Sequence, residues 1–334
     1  MDVKRGEVLC LLGGSGCGKS TTLRIAAGLE RVDAGCVFIG RELVEGEGRH
    51  VPPEQRGVGL MFQDYALFPH LSVRANVAFG LARLPRAERA ARAEHELARV
   101  GLAHLADAFP HTLSGGEQQR IALARMLAPA PSVVLMDEPF SGLDTSLRDS
   151  LRASTLRTLR GAHAAVLMVT HDPDEAMRVA DRVALMRTGS IVQQGTALEL
   201  YNSPATPEAA MLFGTANLFH TQVTAGGVRS PFGLVHAKGF GEGDWAEVLY
   251  RSAQVRVSEH GIPARVIGVR PQGGILEVEA ALDAAALPEG VDAPPVILAA
   301  AALGAEIGPG AAIRLQANPE DAFVFPCLDK GCRA

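Results

Sequence analysis

Residues 8–22 read VLCLLGGSGCGKSTT. Val8 to Leu12 is a short apolar run without alternation, which predicts a strand buried on both faces. Gly13 to Ser20 (GGSGCGKS) follows at once and fits the spacing G-x-x-x-x-G-K-[ST]. Glycines at these positions let successive backbone N–H groups turn toward an anion. Lys19 supplies positive charge to the β and γ phosphates, and the Ser20 hydroxyl is placed to ligate Mg²⁺. A helix is expected from Ser20 to about Ala27, its N-terminus aimed at the same anion. Strand, glycine loop and helix in this order predict a phosphate-binding α/β domain.

Two later stretches repeat the buried-strand pattern, Ser132 to Met136 and Ala165 to Thr170, and each ends in chemistry. SVVLMDEP puts two carboxylates directly after the first. Asp137 is placed to hold Mg²⁺, and Glu138 to polarise a water for in-line attack on a γ-phosphate. VTHDPDEA puts His171 directly after the second. Ser146 to Arg160 has the periodicity of an amphipathic helix. Apolar strands alternating with helices predict a largely parallel sheet covered on both faces, and ligands bind beyond the carboxyl ends of such strands. The glycine loop, Asp137/Glu138 and His171 are therefore expected to converge.

Leu113 to Arg120 (LSGGEQQR) offers a second helix N-terminus suited to an anion. One γ-phosphate needs one such cradle from a given subunit, so the economical reading gives the second to a neighbour's nucleotide.

The chain has 334 residues, long enough for two domains. With 21% charged residues and a net charge of -5, it has no general electrostatic pull toward nucleic acid or anionic lipid. Residues 64–116 read as a helical insertion in the sheet domain. Within it Arg83 to Val100 is densely charged, but Glu88, Glu94 and Glu96 offset the arginines, so a solvated helix face is expected. After about residue 217, glycine and proline recur among short alternating runs: 247–257, 265–269, 275–280 and 312–316. Pro271 to Gly274 looks like a hairpin turn, and a small all-β, barrel-like domain is expected over 218–334. The stretch Ala299 to Ala302 has no functional reading. Five scattered cysteines do not make a disulfide framework; Cys327 and Cys332 are read as incidental tail thiols and the compartment as reducing.

The order GGSGCGKST, Gln63 in MFQDYALFP, LSGGEQQR, LMDEP, SGLD and VTHD resembles the ATP-binding cassette (ABC) ATPases over residues 6–217. The resemblance implies a P-loop NTPase core of residues 1–217 with its helical subdomain, followed by an OB-like domain. ATP and Mg²⁺ would be held by Gly13, Gly14, Ser15, Gly16, Cys17, Gly18, Lys19, Ser20 and Thr21, with Gln63 and Asp137 also serving the metal. It implies a head-to-tail homodimer in which Ser114, Gly115 and Gly116 of one copy face the ATP of the other, and Asp144 crosses the interface. Glu138, His171 and Gln63 would be the catalytic set.

The finer wording is similar to importer ATPases, with FQDYALFPHLSVRANVAFGL, FSGLDTSLR and FGTAN most like the ferric-iron group; polyamine, phosphonate and sulfate importers share much of it. That implies a peripheral position on the cytoplasmic face of the inner membrane. Its partners would be permease subunits docked at Gln63–Pro69 and an external solute-binding protein, with no nucleic acid. The bland alternative for Tyr65 and Phe68 is packing of the helical insertion. Non-transport ABC ATPases are the competing class; they usually carry tandem cassettes or a coiled-coil insertion, and neither appears.

The family's adenine-stacking aromatic lies ahead of the P-loop strand. Here no Phe, Tyr or Trp precedes Phe38. The expectation is a native start further upstream; the alternative is a weakened grip on the base.

Overall fold

A computed structural model describes residues 1–141, 145–236 and 239–327, with no side chains for 145–147. Asp144 lies outside the described residues. The chain forms two units, Met1–Asn202 and Ser203–Ala334.

Among the described residues the first unit has nine strands: β1 (Val8–Leu12), β2 (Val37–Ile39), β3 (Glu42–Gly46), β4 (Arg49–His50), β5 (Val58–Met61), β6 (Val133–Asp137), β7 (Ala165–Thr170), β8 (Arg182–Arg187) and β9 (Ser190–Gly195). Its helices are α1 (Lys19–Ala27), α2 (Val73–Ala78), α3 (Arg86–Arg99), α4 (Gly115–Leu127), α5 (Thr145–Ala162), α6 (Pro173–Val179) and α7 (Ala197–Asn202). The main sheet runs β5-β6-β7-β1-β8-β9. Its first five strands are parallel, and only β9 runs against its neighbour β8. β1 lies between β7 and β8 and buries all five of its residues. Each such leucine contributes roughly 1.5–3 kcal/mol of hydrophobic stabilisation. β2, β3 and β4 form a separate antiparallel sheet.

α1 ends at Gly28, whose φ of 84° suits glycine. A Cβ there would lie 2.6 Å from Nε of Arg56. The Arg56 side chain is fully buried. It donates to the carbonyls of Ile25 (2.7 Å), Ala26 (3.2 Å) and Val51 (2.6 Å), and to Glu45 Oε2 (2.5 Å). Arg56 thus caps the end of the helix that starts at the glycine loop. Arg56→Ala strands three part-buried backbone acceptors and the buried Glu45 carboxylate, so a loss of roughly 2–5 kcal/mol is expected. Urea unfolding followed by circular dichroism reads it.

α2, α3 and α4 pack together as the insertion between β5 and β6. One expectation there needs correction. Glu96 is not part of a solvated face: its side chain is fully buried, bound by Arg92 (3.2 Å) and Arg99 (2.8 Å) of the same helix. Helical spacing turns Glu96 inward and sets the part-exposed Arg92 and Arg99 over it, which the local charge balance does not reveal.

The second unit starts before the expected boundary at 217/218. Its helix α8 (Pro207–Leu212) is capped by Thr206 and packs Ala210 against Leu249 and Phe325 of the β structure. The strands are β10 (Ala216–Thr224), β11 (Gly227–Ser230), β12 (Gly233–Val235), β13 (Trp245–Arg251), β14 (Arg256–Ser258), β15 (Ile262–Gln272), β16 (Ile275–Leu282), β17 (Val291–Asp292), β18 (Ile297–Ala302), β19 (Ala312–Gln316) and β20 (Phe323–Pro326). β12-β11-β10-β13-β20 form one sheet, with β17 also on β10. β14-β18-β16-β15-β19 close into a five-stranded barrel, the strand number of an OB-like domain. The single run expected over 247–257 is split by a turn at Ser252–Gln254, where the Gln254 side chain accepts from the Arg251 N–H (2.7 Å). The hairpin is as expected: Gln272 pairs with Ile275 across Gly273 and Gly274, both at positive φ. The alanine run forms β18, with Ala299 and Ala301 inside the core. Cys10, Cys17 and Cys36 are free, but Cys327 is disulfide-bonded, against its reading as an incidental thiol. Among the described residues no helix is long and apolar enough to cross a membrane.

Candidate active site

Four adjacent parallel strands, β5-β6-β7-β1, deliver the site at their carboxyl ends. Gln63 follows β5, Asp137 ends β6 with Glu138 next, His171 follows β7, and the glycine loop follows β1.

The loop is held from beneath. A Cβ on Gly13 would stand 2.3 Å from the Met186 carbonyl oxygen and 2.8 Å from Cys17 Sγ. The Gly189 N–H donates to the Cys17 carbonyl (2.9 Å), so the turn between β8 and β9 clamps the loop. On its other side the loop is open: a Cβ on Gly14 or Gly16 meets nothing within 4 Å. This is an anion cradle with a fixed floor. Gly13→Ala must shift backbone, and nucleotide binding is expected to weaken by about tenfold or more, a cost of about 1.4 kcal/mol or above. Titration with a fluorescent ATP analogue measures it.

Lys19 is buried, and its ammonium donates to the carbonyls of Gly13 (2.8 Å) and Gly14 (2.9 Å), with Cys17 Sγ at 3.8 Å. The Ser20 hydroxyl donates to Asp137 Oδ1 (3.2 Å). A hydroxyl beside a carboxylate is an oxygen pair that fits a hard cation, so the residues present suit Mg²⁺. Burial pushes the Asp137 carboxyl up, and the neighbouring Glu138 charge adds to this, against the pull of the Ser20 hydrogen bond.

Glu138 has φ of 44°, a left-handed conformation that is uncommon for a non-glycine residue. Its N–H donates to the Val169 carbonyl (3.0 Å), and its own carbonyl accepts from the Ser141 hydroxyl (2.8 Å). The carboxylate is bound on both oxygens: His171 Nδ1 lies 2.8 Å from Oε1, and Gln63 Nε2 donates to Oε2 (3.3 Å). Only a protonated Nδ1 makes the first bond, so a neutral His171 presents Nε2 as an acceptor. Gln63, Glu138 and His171, distant in sequence, therefore meet through one carboxylate. From α4, Gln119 donates to the Pro139 carbonyl (3.0 Å) and steadies the same turn.

Ser114 and Gly115 cap α4 in a different way. The Ser114 N–H and hydroxyl both donate to Glu117 Oε2 (2.8 and 2.7 Å), which holds the Glu117 carboxyl below its ordinary range. Among the described residues no hydrogen bond joins Ser114, Gly115 or Gly116 to the glycine loop or Glu138. Gly116 meets α5, where an added Cβ would stand 3.0 Å from Leu151 Cδ1.

Three supports lay outside the sequence reading. Arg125 donates to the carbonyls of Tyr65 (2.8 Å) and Ala66 (2.6 Å), and its guanidinium lies 5.5 Å from the Phe68 ring centroid. Tyr65 is buried, so packing accounts for it, whereas Phe62, Gln63, Pro69 and His70 are exposed. Arg152 bridges Asp149 and Asp172 (both 3.3 Å) and covers Phe140. Behind His171, the Thr170 hydroxyl donates to the buried Glu175 (2.5 Å). Burial pushes the Glu175 carboxyl up. Its folded pKa exceeds its unfolded value, so the stability it contributes is full below the ordinary glutamate range and is lost as pH rises through the folded value. The melting-temperature difference between Glu175→Gln and the parent is therefore expected to move in the variant's favour from pH 4 to pH 7.

Residues 1–141 match the family model described as ABC transporter. A sulfate/thiosulfate import ATP-binding protein of Chromobacterium violaceum is 42% identical over 329 residues, 95% of this chain and 90% of that protein. An Fe(3+) ions import ATP-binding protein of Haemophilus influenzae is 46% identical over 214 residues, which are 64% of this chain and 61% of its own length. A putrescine transport ATP-binding protein of Escherichia coli is 44% identical over 222 residues, which are 65% of this chain and 58% of its own length. Among solved structures, cbiO1 of Clostridium perfringens, part of an ABC transporter complex, superposes with a TM-score of 0.56 at 31% identity, covering 61% of this chain and 83% of its own. A dimeric ATP-binding cassette bound to ADP and Pi gives 0.53 at 29%, covering 59% and 88%. Sequence, sheet order and site geometry agree, and this chain belongs to the ATP-binding proteins of ABC transporters.

Proposed function

We propose that this chain is the ATP-hydrolysing subunit of an ABC importer. The observation that carries this reading is the Glu138 carboxylate, held between His171 and Gln63 at the strand edge that also carries the glycine loop. Lys19 exchanges its bonds to the loop carbonyls for phosphate oxygens. Glu138 accepts the proton of the attacking water, and Gln63 and His171 orient the carboxylate. Bound Mg²⁺, held by Ser20 and Asp137 with Gln63 nearby, would neutralise phosphate charge.

Two copies work head to tail. Ser114, Gly115 and Gly116 of one serve the nucleotide held by Lys19 and Glu138 of the other, and Asp144 lies at the interface. The exposed Ser114 and Gly115, unbonded to their own loop, support this arrangement. Permease subunits dock at the exposed part of Gln63–Pro69 on the inner face of the membrane, and a solute-binding protein completes the importer outside.

Ferric iron is the solute that the sequence wording favours. A second reading, sulfate or thiosulfate, is favoured by a specific observation. The relatives whose likeness runs over 84% and 95% of this chain, and so into the second unit, are named for that solute. The iron relative aligns over 64%. Uptake of labelled ferric iron, sulfate and putrescine by cells lacking the chain decides. The solute whose uptake falls, and returns on restoration, is the substrate. If none falls, these three solutes are excluded, and phosphonate uptake is measured next.

A further inference from the structure

At the amino ends of the strands, on the edge opposite the candidate active site, the first unit has a cleft of ≈ 820 Å³. Arg5, Arg92, His95, Arg99, Arg120 and Arg157 line it over a floor that includes Leu123 and Leu127. Among the described residues, Glu96, beneath Arg92 and Arg99, is the one carboxylate bonded to this group. Five guanidinium groups against one carboxylate give a strongly positive cavity in a chain whose net charge is -5.

Several of these cations are fixed. Arg92 donates to the Ala128 carbonyl (3.1 Å), Arg99 to the Thr158 carbonyl (3.2 Å) and Arg120 to the Gly116 carbonyl (3.4 Å). The ion pairs with Glu96 hold Arg92 and Arg99 further. Arg5 and Arg157 are exposed at the rim and make no hydrogen bond or ion pair among the described residues. Like charges around one cavity repel unless an anion is present, and guanidinium forks match phosphate oxygens in geometry. The volume falls in the range of small-molecule sites.

We infer that this cleft binds a small polyphosphate anion, separately from the nucleotide site. A flat charged face would suit a membrane; a walled cavity with fixed donors suits a free anion. The anion would bridge α3 of the insertion to α5. It would also touch Arg120, which holds the Gly116 carbonyl in the LSGGEQQR segment, so occupancy would bear on the segment offered to the second copy.

The test is calorimetric titration of the full chain with inorganic tripolyphosphate, in EDTA and with the nucleotide site already saturated by ADP. One further, salt-sensitive site is expected. Arg5→Glu and Arg157→Glu alter rim residues without structural bonds, and each is expected to weaken that site about tenfold or more, the worth of a charge-assisted hydrogen bond, while ADP affinity stays the same. No further site, or one that both variants leave unchanged, overturns the proposal. Flotation with phosphatidylglycerol vesicles distinguishes the source. Vesicle binding that the variants abolish, without tripolyphosphate binding, overturns the free-anion assignment in favour of a lipid headgroup.

Discussion

Glu138→Gln is expected to bind ATP with parental affinity and to lose roughly 10²–10⁴ of its hydrolysis rate, the usual worth of a positioned general base. The amide keeps the shape of the carboxylate, and its oxygen still accepts from Gln63 or His171. What it loses is the ability to take a proton. His171 and Gln63 bond the Glu138 carboxylate, but the turn itself is held through backbone: Ser141 and Gln119 bond the carbonyls at 138 and 139. The site should therefore survive the exchange. Single-turnover hydrolysis of labelled ATP separates binding from chemistry. Near-parental turnover would remove Glu138 from the mechanism.

Lys19→Ala is expected to fail earlier. The ammonium is buried and makes hydrogen bonds within the loop, so the variant loses both a phosphate ligand and two bonds that shape the cradle. A charge-assisted hydrogen bond is worth about 1.5–3 kcal/mol, or roughly 10–150-fold in affinity. Hydrolysis should drop further, by about 10²–10³, since the same charge meets the transition state. The contrast between variants is diagnostic: Glu138→Gln spares affinity and Lys19→Ala does not. Equilibrium binding of an ATP analogue, set beside turnover, reads both.

The fold's core was legible because buried parallel strands leave a plain mark. VLCLL, SVVLM and AVLMVT carry no alternation, and each became a central strand of the sheet. The convergence of the glycine loop, Asp137/Glu138 and His171 followed from strand ends alone. What stayed hidden depends on long-range packing. Nothing local marks Met186 and Gly189 as the floor of the loop, since they approach it only when β8 pairs with β1. Arg125 looks like any helical arginine until its carbonyl partners at 65 and 66 are placed beneath it. Glu96 failed for a related reason: charge balance along the chain does not tell an inward carboxylate from a solvated one. The start of the second unit was placed late because α8 is helical, while the composition shift marks only the strands that follow.

In the proposed function, ATP hydrolysis at Glu138 drives uptake of a solute. Its most direct test restores cells lacking this chain with either the parental gene or Glu138→Gln, at matched protein levels, and measures uptake of the solute that the deletion affects. The parental chain is expected to restore uptake and Glu138→Gln to leave it at the deletion level. Equal restoration by both would contradict the account.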